Sequence, residues 1–534
     1  MPSLKDLNLA DALVFALYIG GLIIAGILSA RKSEVARDHF LGGQSASWPR
    51  IGFALYASTI SVTSLVGLSG SAYAHGIAVS NYEWMATIVL TVFCAFVLPT
   101  YIKSQVFTVP EFLELRYGRF VRTYVSGLSI LLGVFLDGAG GLFAGAIMFQ
   151  ILFPGWPLWE VCTLLALLAG GFLILGGLRA VLMVEQVQGL VLAAACCAVA
   201  FFTLHALGAS FPGGLNAAFA HIDPSRLRLV LPASDPAMPW TGLVTGVPLI
   251  GFYFWCANQT MVQRVLAAKD LDHGRWGSLM GGAMKLTNLF LVCIPGAACV
   301  LLFPHLSQPD QAFSHIVFDL MPHGLIGLIV AACLISILSG VAGIYNSMST
   351  LLTMDFIRRM KPEMSQKGLV HTGQLVTAGL MVISILWAPQ IVHFKDTLWQ
   401  YLQAVLCYFV PPVAAVFTAG LFLKRVNKAG AAAGLIVGTI LSFALFFGVE
   451  VFHAIPLQFL VAAMVIFVAS FAALLLGSLA APAPDALRIA PLMFSGAVWR
   501  AETEHLKTVR WYQNYRVLSL GLLVLTGAVV AWFH

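Results

Sequence analysis

Long uncharged stretches recur from one end of the chain to the other: Ala12 to Ala30, Gln186 to Leu204, Leu286 to Phe303 and Phe459 to Pro482. An apolar run of 18 or more residues fills the ~30 Å hydrocarbon core of a bilayer as one helix. Alternating ten-residue strands do not occur, which excludes a membrane β-barrel. The pattern predicts an all-α integral membrane protein with about fourteen transmembrane helices. They fall near 9–30, 49–74, 80–102, 122–152, 157–176, 180–206, 239–264, 276–303, 323–357, 368–388, 397–423, 429–449, 454–479 and 514–533.

Composition agrees with the pattern. Apolar residues make up 60% of the chain and charged residues only 10%, against about 25% charged in a soluble domain. The net charge of +6 does not imply nucleic acid, because the basic residues are scattered over short loops. Of the 29 lysines and arginines, 24 lie on one side of the predicted spans, 4 on the other, and Lys285 within a span. The richer side is therefore cytoplasmic, and both termini are expected outside a cell (inner) membrane. Arg31 and Lys32 after the first run suit a retained helix rather than a cleaved signal peptide. The nine cysteines sit in apolar segments without a CxxC pair and read as small buried hydrophobes. The inner loop 480–513 carries Trp499, Trp511 and Tyr512 and reads either as a helix on the membrane surface or as a plain tether.

Polar groups inside the spans carry the functional signal, since a charge in hydrocarbon costs about 3 kcal/mol or more unless paired or wetted. Span 49–74 holds Ser58, Thr59, Ser61, Thr63, Ser64, Ser69 and Ser71, with Gly52, Gly67 and Gly70 around them. A break near 57–61 would free carbonyls to bind a cation, whereas a Gly/Ser packing helix would use the same residues. Glu83, Asp137 and Lys285 lie in successive or facing spans and could line a wet cavity or form a structural salt bridge. Glu185 and Gln188 follow a short turn. Span 239–264 carries Tyr253-Phe254-Trp255 and then Asn258-Gln259, able to cap a ligand or simply to pack. Ser336, Ser339, Gly340, Gly343, Asn346, Ser347, Ser349 and Thr350 form one small polar face. Pro411-Pro412, beyond Gln400 and Gln403, should break its helix.

Five ordered segments carry a family resemblance. They are GFALYASTISVTSLVGLSGSAYAHGIAVSNYEWM, VPEFLELRYG (109–118), GGLRAVLMVEQVQ (176–188), FWCANQTMVQRVLAAKDL (254–271) and NSMSTLLTMDF (346–356). Together they resemble the sodium/solute symporter family, nearest its sodium/glucose–galactose members. The resemblance implies the leucine-transporter-type 5+5 inverted repeat, with broken helices around a midplane site. The implied division is 1–48 for an extra helix and cytoplasmic loop, 49–206 and 239–423 for the repeats, 207–238 for an extracellular loop, and 424–534 for three extra helices. The coupling ion would be Na⁺, with no other cofactor. Its ligands would be the carbonyls of Ala57, Ile60 and Ser336 and the hydroxyl of Ser339. Gly340 stands where a second hydroxyl is usual, which removes a ligand and admits a water or proton coupling. Glu185 takes the acidic position near the sodium exit route.

For the solute, the resemblance implies Glu83, Lys285 and Gln403, retained in kind and suited to a sugar, with its hydroxyl donors and acceptors. It also implies Ser64, Asp137, Phe254 and Trp255; of these Ser64, Asp137 and Phe254 depart from the family pattern, as does Gly251. The expected function is Na⁺-coupled symport of a small polar solute, most simply a monosaccharide such as glucose or galactose, by alternating access. An amino sugar, inositol or monocarboxylate is the alternative solute. A carboxylate solute would want an unpaired basic group, and Lys285 has Glu83 and Asp137 as candidate partners. An intramembrane enzyme finds no support: there is no HExxH and no Cys/His cluster, and a pump would need a GxxxxGK[ST] loop, which is absent.

Overall fold

The computed structural model describes residues 8–30, 46–106, 108–152, 155–361 and 363–534. Among the described residues the chain is helical, with two isolated β-bridges, Ala46–Ala268 and Leu231–Pro239. Among the described residues, ten helices are long and apolar enough to cross a membrane, and twelve when each of two sharply bent pairs is taken as one span. Two shorter apolar helices, Leu9–Leu22 and Leu158–Gly171, accompany them.

The first bent pair is α2 (Trp48–Ala57) and α3 (Val62–His75), which meet at 63°. The bend is written in the sequence. Ser61 and Ser64 form a reciprocal capping box that starts α3 afresh, each side chain satisfying a backbone N–H that a continuous helix would direct to a carbonyl. Gly76, at φ 81°, ends α3 and turns the chain into α4 (Ile77–Ser104). Thr108 caps α5 (Val109–Tyr117), and Gly118 at φ 91° starts α6 (Arg119–Gln150).

The next helix, α7 (Leu158–Ser210), runs 53 residues without a break. Two spans, 157–176 and 180–206, were expected here about a turn. The sequence Gly176-Gly177-Leu178-Arg179-Ala180-Val181 has neither a proline nor a Ser, Asp or Asn cap to end a helix. The Cys162 thiol approaches the Leu142 carbonyl in the later half of α6, while Leu207 packs with Ala298 near the end of α10 (Leu271–Leu302). At 53 residues α7 is far longer than one bilayer crossing needs. The side chains of 172–187, Glu185 among them, lie outside those described.

The second half repeats the theme. α8 (Trp240–Phe252) passes through a wider turn, Tyr253–Ala257, to an extended Asn258, which caps α9 (Gln259–Leu266). After α10 come α11 (Leu325–Leu351) and α12 (Gln366–Trp387). The second bent pair, α13 (Leu398–Phe409) and α14 (Pro411–Phe422), turns by 53° at the predicted Pro411-Pro412. α15 (Lys428–Val451), α16 (Phe459–Leu479), α17 (Gly496–Leu506) and α18 (Tyr515–Trp532) complete the chain. Asp11, early in α1 (Leu9–Ala30), accepts the N–H groups of Gly324 (2.6 Å) and Gly327 (3.2 Å) and so caps α11.

The basic end of the bundle is held by buried arginines. Arg116 donates to the carbonyls of Gly420 (3.3 Å), Leu423 (2.9 Å) and Val426 (3.1 Å), satisfying the C-terminal end of α14. Arg275 pairs with Glu502 of α17 at 2.6 Å. Trp499 stacks on Phe96 of α4 at 5.4 Å and lies under the Arg516 guanidinium at 3.7 Å. The 480–513 segment is therefore docked on the protein's own spans, with only Trp511 and Tyr512 of its named aromatics left exposed.

Candidate ion and solute site

The interruption Ser58–Ser61 leaves the backbone around Ala57 and Ile60 weakly bonded. The Ala57 carbonyl accepts only a long bond from the Ile60 N–H (3.3 Å). The Ser64 N–H turns to Ser61 Oγ (3.3 Å), and among the described residues no backbone hydrogen bond reaches the Ile60 carbonyl. Carbonyls released in this way are good cation ligands, as in other discontinuous membrane helices.

Two consecutive residues of α7 join this break to α11. A Cβ on Gly189 would overlap Ala57, so the helix passes directly against the break. Gln188 donates its amide to the Ala332 carbonyl (2.9 Å) and accepts the Ser339 hydroxyl (3.3 Å). Ser339 shares its one proton between Gln188 and the Ser336 carbonyl (3.5 Å) and is 1% exposed. Its oxygen lone pairs face the bundle interior, not lipid. A Cβ on Gly340 would meet nothing within 4 Å, so the position of the missing hydroxyl is open space. The structure thus brings the Ala57/Ile60 segment and Ser336/Ser339 to one junction. Gln188, which holds that junction, carried no assigned role in the sequence, although it ends one of the quoted segments.

The predicted solute residues divide into two groups. Lys285 of α10 forms an ion pair with Glu83 of α4. The same Glu83 oxygen takes the amide of Asn288, whose own oxygen accepts the Tyr56 hydroxyl (2.9 Å). Four buried groups from α2, α4 and α10 thereby satisfy one another, and Asn288 and Tyr56 were not read from the sequence. Gln403 of α13 is buried, with no partner for its amide among the described residues. One turn earlier on α13, Trp399 packs on Gly67 of α3 and edge-on to Tyr82 at 6.2 Å. Ser64 spends its hydroxyl inside the capping box. Trp255 is buried and meets the half-buried Phe254 at 82°.

Asp137 was one candidate partner of Lys285. Instead it stands apart, exposed within α6 and without an ion pair or hydrogen bond among the described residues. Lys285 is already taken by Glu83, and Asp137 lies in the wider turn Gly133–Gly138 of α6.

The two ends of the site differ. α3 is buried from Ser64 to Tyr73, and the Asp310 side chain, in the connection between α10 and α11, lies against Gly70. On α11 accessibility instead increases towards the basic end, where Ser347 and Thr350 are exposed.

The sodium:solute symporter family model matches residues 39–438. A sodium/mannose cotransporter of Bos taurus, SLC5A10, is 31% identical over 537 residues, covering 91% of this chain and 89% of that protein. Sodium/glucose cotransporter 1 of Sus scrofa is 32% identical, covering 83% and 72%. Among solved structures, a substrate-bound outward-open Na⁺-coupled sialic acid symporter aligns with a TM-score of 0.70 at 19% identity, covering 89% of this chain and 99% of that one. The inward-facing structure of Mhp1 aligns at 0.54 and 14% identity, covering 84% and 97%. The helical architecture is shared with these transporters, and the matched length and identity establish that the chain belongs to the sodium:solute symporter family.

Proposed function

We propose that this protein carries a monosaccharide such as glucose or galactose into the cell together with Na⁺, by alternating access. The observation that carries the reading is the interrupted helix at Ser58–Ser61, joined to Ser339 through Gln188 and Gly189. Mid-span carbonyls and a buried hydroxyl suit a small hard cation that binds oxygen. Relatives named as sodium/glucose and sodium/mannose cotransporters support the solute class.

In this reading Na⁺ is held by the carbonyls of Ala57, Ile60 and Ser336 and the hydroxyl of Ser339. The open space at Gly340 takes a water in place of the absent hydroxyl, which favours sodium over proton coupling. Gln403, Glu83 and Lys285 meet the sugar, with Ser64, Phe254 and Trp255 around it, and Glu185 lines the ion's exit. The chain then has fourteen spans, counting Leu9–Leu22 and Leu158–Gly171. One precedes the repeats 49–206 and 239–423 and three follow, with both termini outside the cell membrane.

The test is Ser339→Ala in a transport assay. The sodium concentration for half-maximal uptake should rise severalfold while the protein still inserts. An unchanged value removes the assigned ion site.

A further inference from the structure

Lys285 stands near the middle of α10, and Glu83 neutralises it in a buried cluster with Asn288 and Tyr56. Asp137 has no counterpart: it is exposed in the interior of the bundle and unpartnered among the described residues. Its surroundings are set by tight packing. Gly133 lies against Met348 of α11, Gly138 against the Tyr345 ring, and Gly140 against Leu402 and Thr63. These contacts place Asp137 among α3, α11 and α13, the helices that also carry Ser64, Ser339 and Gln403. Tyr253 lies within electrostatic reach of the carboxylate, and Phe254 follows it.

A lone carboxylate attracts an ammonium group, from which it accepts a charge-assisted hydrogen bond. A neutral hydroxyl gains less, and a carboxylate solute is repelled. The geometry points to Asp137 as a specificity residue that makes this transporter prefer a solute bearing a primary ammonium group, an amino sugar, over the corresponding neutral hexose. This inference rests on the sodium-coupled transport reading above.

Glucosamine, N-acetylglucosamine and glucose serve as probes, because acetylation removes the charge while keeping the ring. Sodium-driven uptake into proteoliposomes is measured for each, with wild type, Asp137→Asn and Asp137→Ser. In wild type, glucosamine should be taken up with about a tenfold advantage over both neutral sugars, the size of effect one good charged contact supplies. Both variants should bring the three sugars to within about twofold, chiefly through weaker glucosamine uptake, with sodium dependence unchanged. Sodium-driven glucose uptake without a glucosamine advantage in wild type overturns the amine preference and leaves the transport reading standing. A variant that shifts sodium dependence but keeps the glucosamine advantage makes Asp137 an ion ligand and overturns it too. Absence of sodium-driven uptake of all three sugars overturns the transport reading and this inference together.

Discussion

The Ser339 hydroxyl lies 3.3 Å from the side-chain oxygen of Gln188, 151 positions away in the chain. Gln188 is fixed in turn by its amide bond to the Ala332 carbonyl. A side-chain amide that bridges two turns of one helix sets where that helix's hydroxyl points. Gln188→Ala should therefore raise the half-saturating sodium concentration while leaving the ligand atoms themselves intact. Gln188→Glu should recover part of the loss, since its carboxylate still accepts the Ser339 proton. Sodium titrations of uptake for the two variants check this, and equal curves for wild type and Gln188→Ala would remove the positioning role.

Gly340 offers a gain-of-function test. Its open surroundings admit a side chain without displacing a neighbour, so Gly340→Ser adds a hydroxyl one residue after Ser339 at the cost of little more than helix propensity. The half-saturating sodium concentration should fall by about threefold to tenfold, as a fixed hydroxyl in place of a water ligand is worth about 1 kcal/mol. A sodium titration showing no change would place the ion away from α11.

The solute residues call for variants chosen by their partners. Glu83 holds both Lys285 and Asn288, so Glu83→Ala strands a buried ammonium and should cost about 3–5 kcal/mol of stability. Its loss of transport would then be ambiguous. Gln403 has no amide partner to strand among the described residues. Gln403→Ala should abolish solute binding with a melting temperature close to wild type, read by binding and unfolding assays on the same purified sample. Normal solute binding would put the sugar elsewhere.

Asp310 links pH to the stability of the fold. It lies outside the spans, accepts the Leu398 N–H at 2.8 Å, and leaves its other oxygen without a partner among the described residues. Burial pushes its carboxyl up to about 7, from an ordinary value near ~4 when hydrated. The folded protein binds this proton more tightly than the hydrated, unfolded chain, so the contribution of Asp310 to stability is most favourable at or below pH ~4. It weakens as pH rises towards 7, where the loss is complete. Thermal stability of the wild type should therefore decline between pH 5 and pH 7 by more than that of Asp310→Asn. Parallel profiles for the two proteins would mean that Asp310 does not titrate in this range.

Much of this was legible in the sequence because the chemistry is local. The hydroxyl-rich run around Ser61, the Pro411-Pro412 pair and the lone charges Glu83 and Lys285 stand out against apolar spans. Each produced its feature: the 63° bend, the 53° bend and the buried ion pair. What stayed hidden depends on partners remote in the chain. Gln188 reads as one polar residue in a helix until α11 is set beside it, and Asn288 and Tyr56 acquire meaning only around Glu83. The single helix Leu158–Ser210 hid for a different reason. Hydropathy counts spans by length, while continuity of the backbone is decided by breakers and caps, and at 176–181 the Gly176-Gly177 pair stands without a proline or a Ser, Asp or Asn cap.

In this mechanism a cation at the Ala57–Ser339 junction drives the solute's movement. Uptake of labelled glucose and glucosamine into proteoliposomes, at fixed pH and with either an inward Na⁺ gradient or an equal K⁺ gradient, tests it most directly. The account predicts transient accumulation above the external concentration with Na⁺ and simple equilibration at most with K⁺. Equal uptake under the two gradients would contradict it.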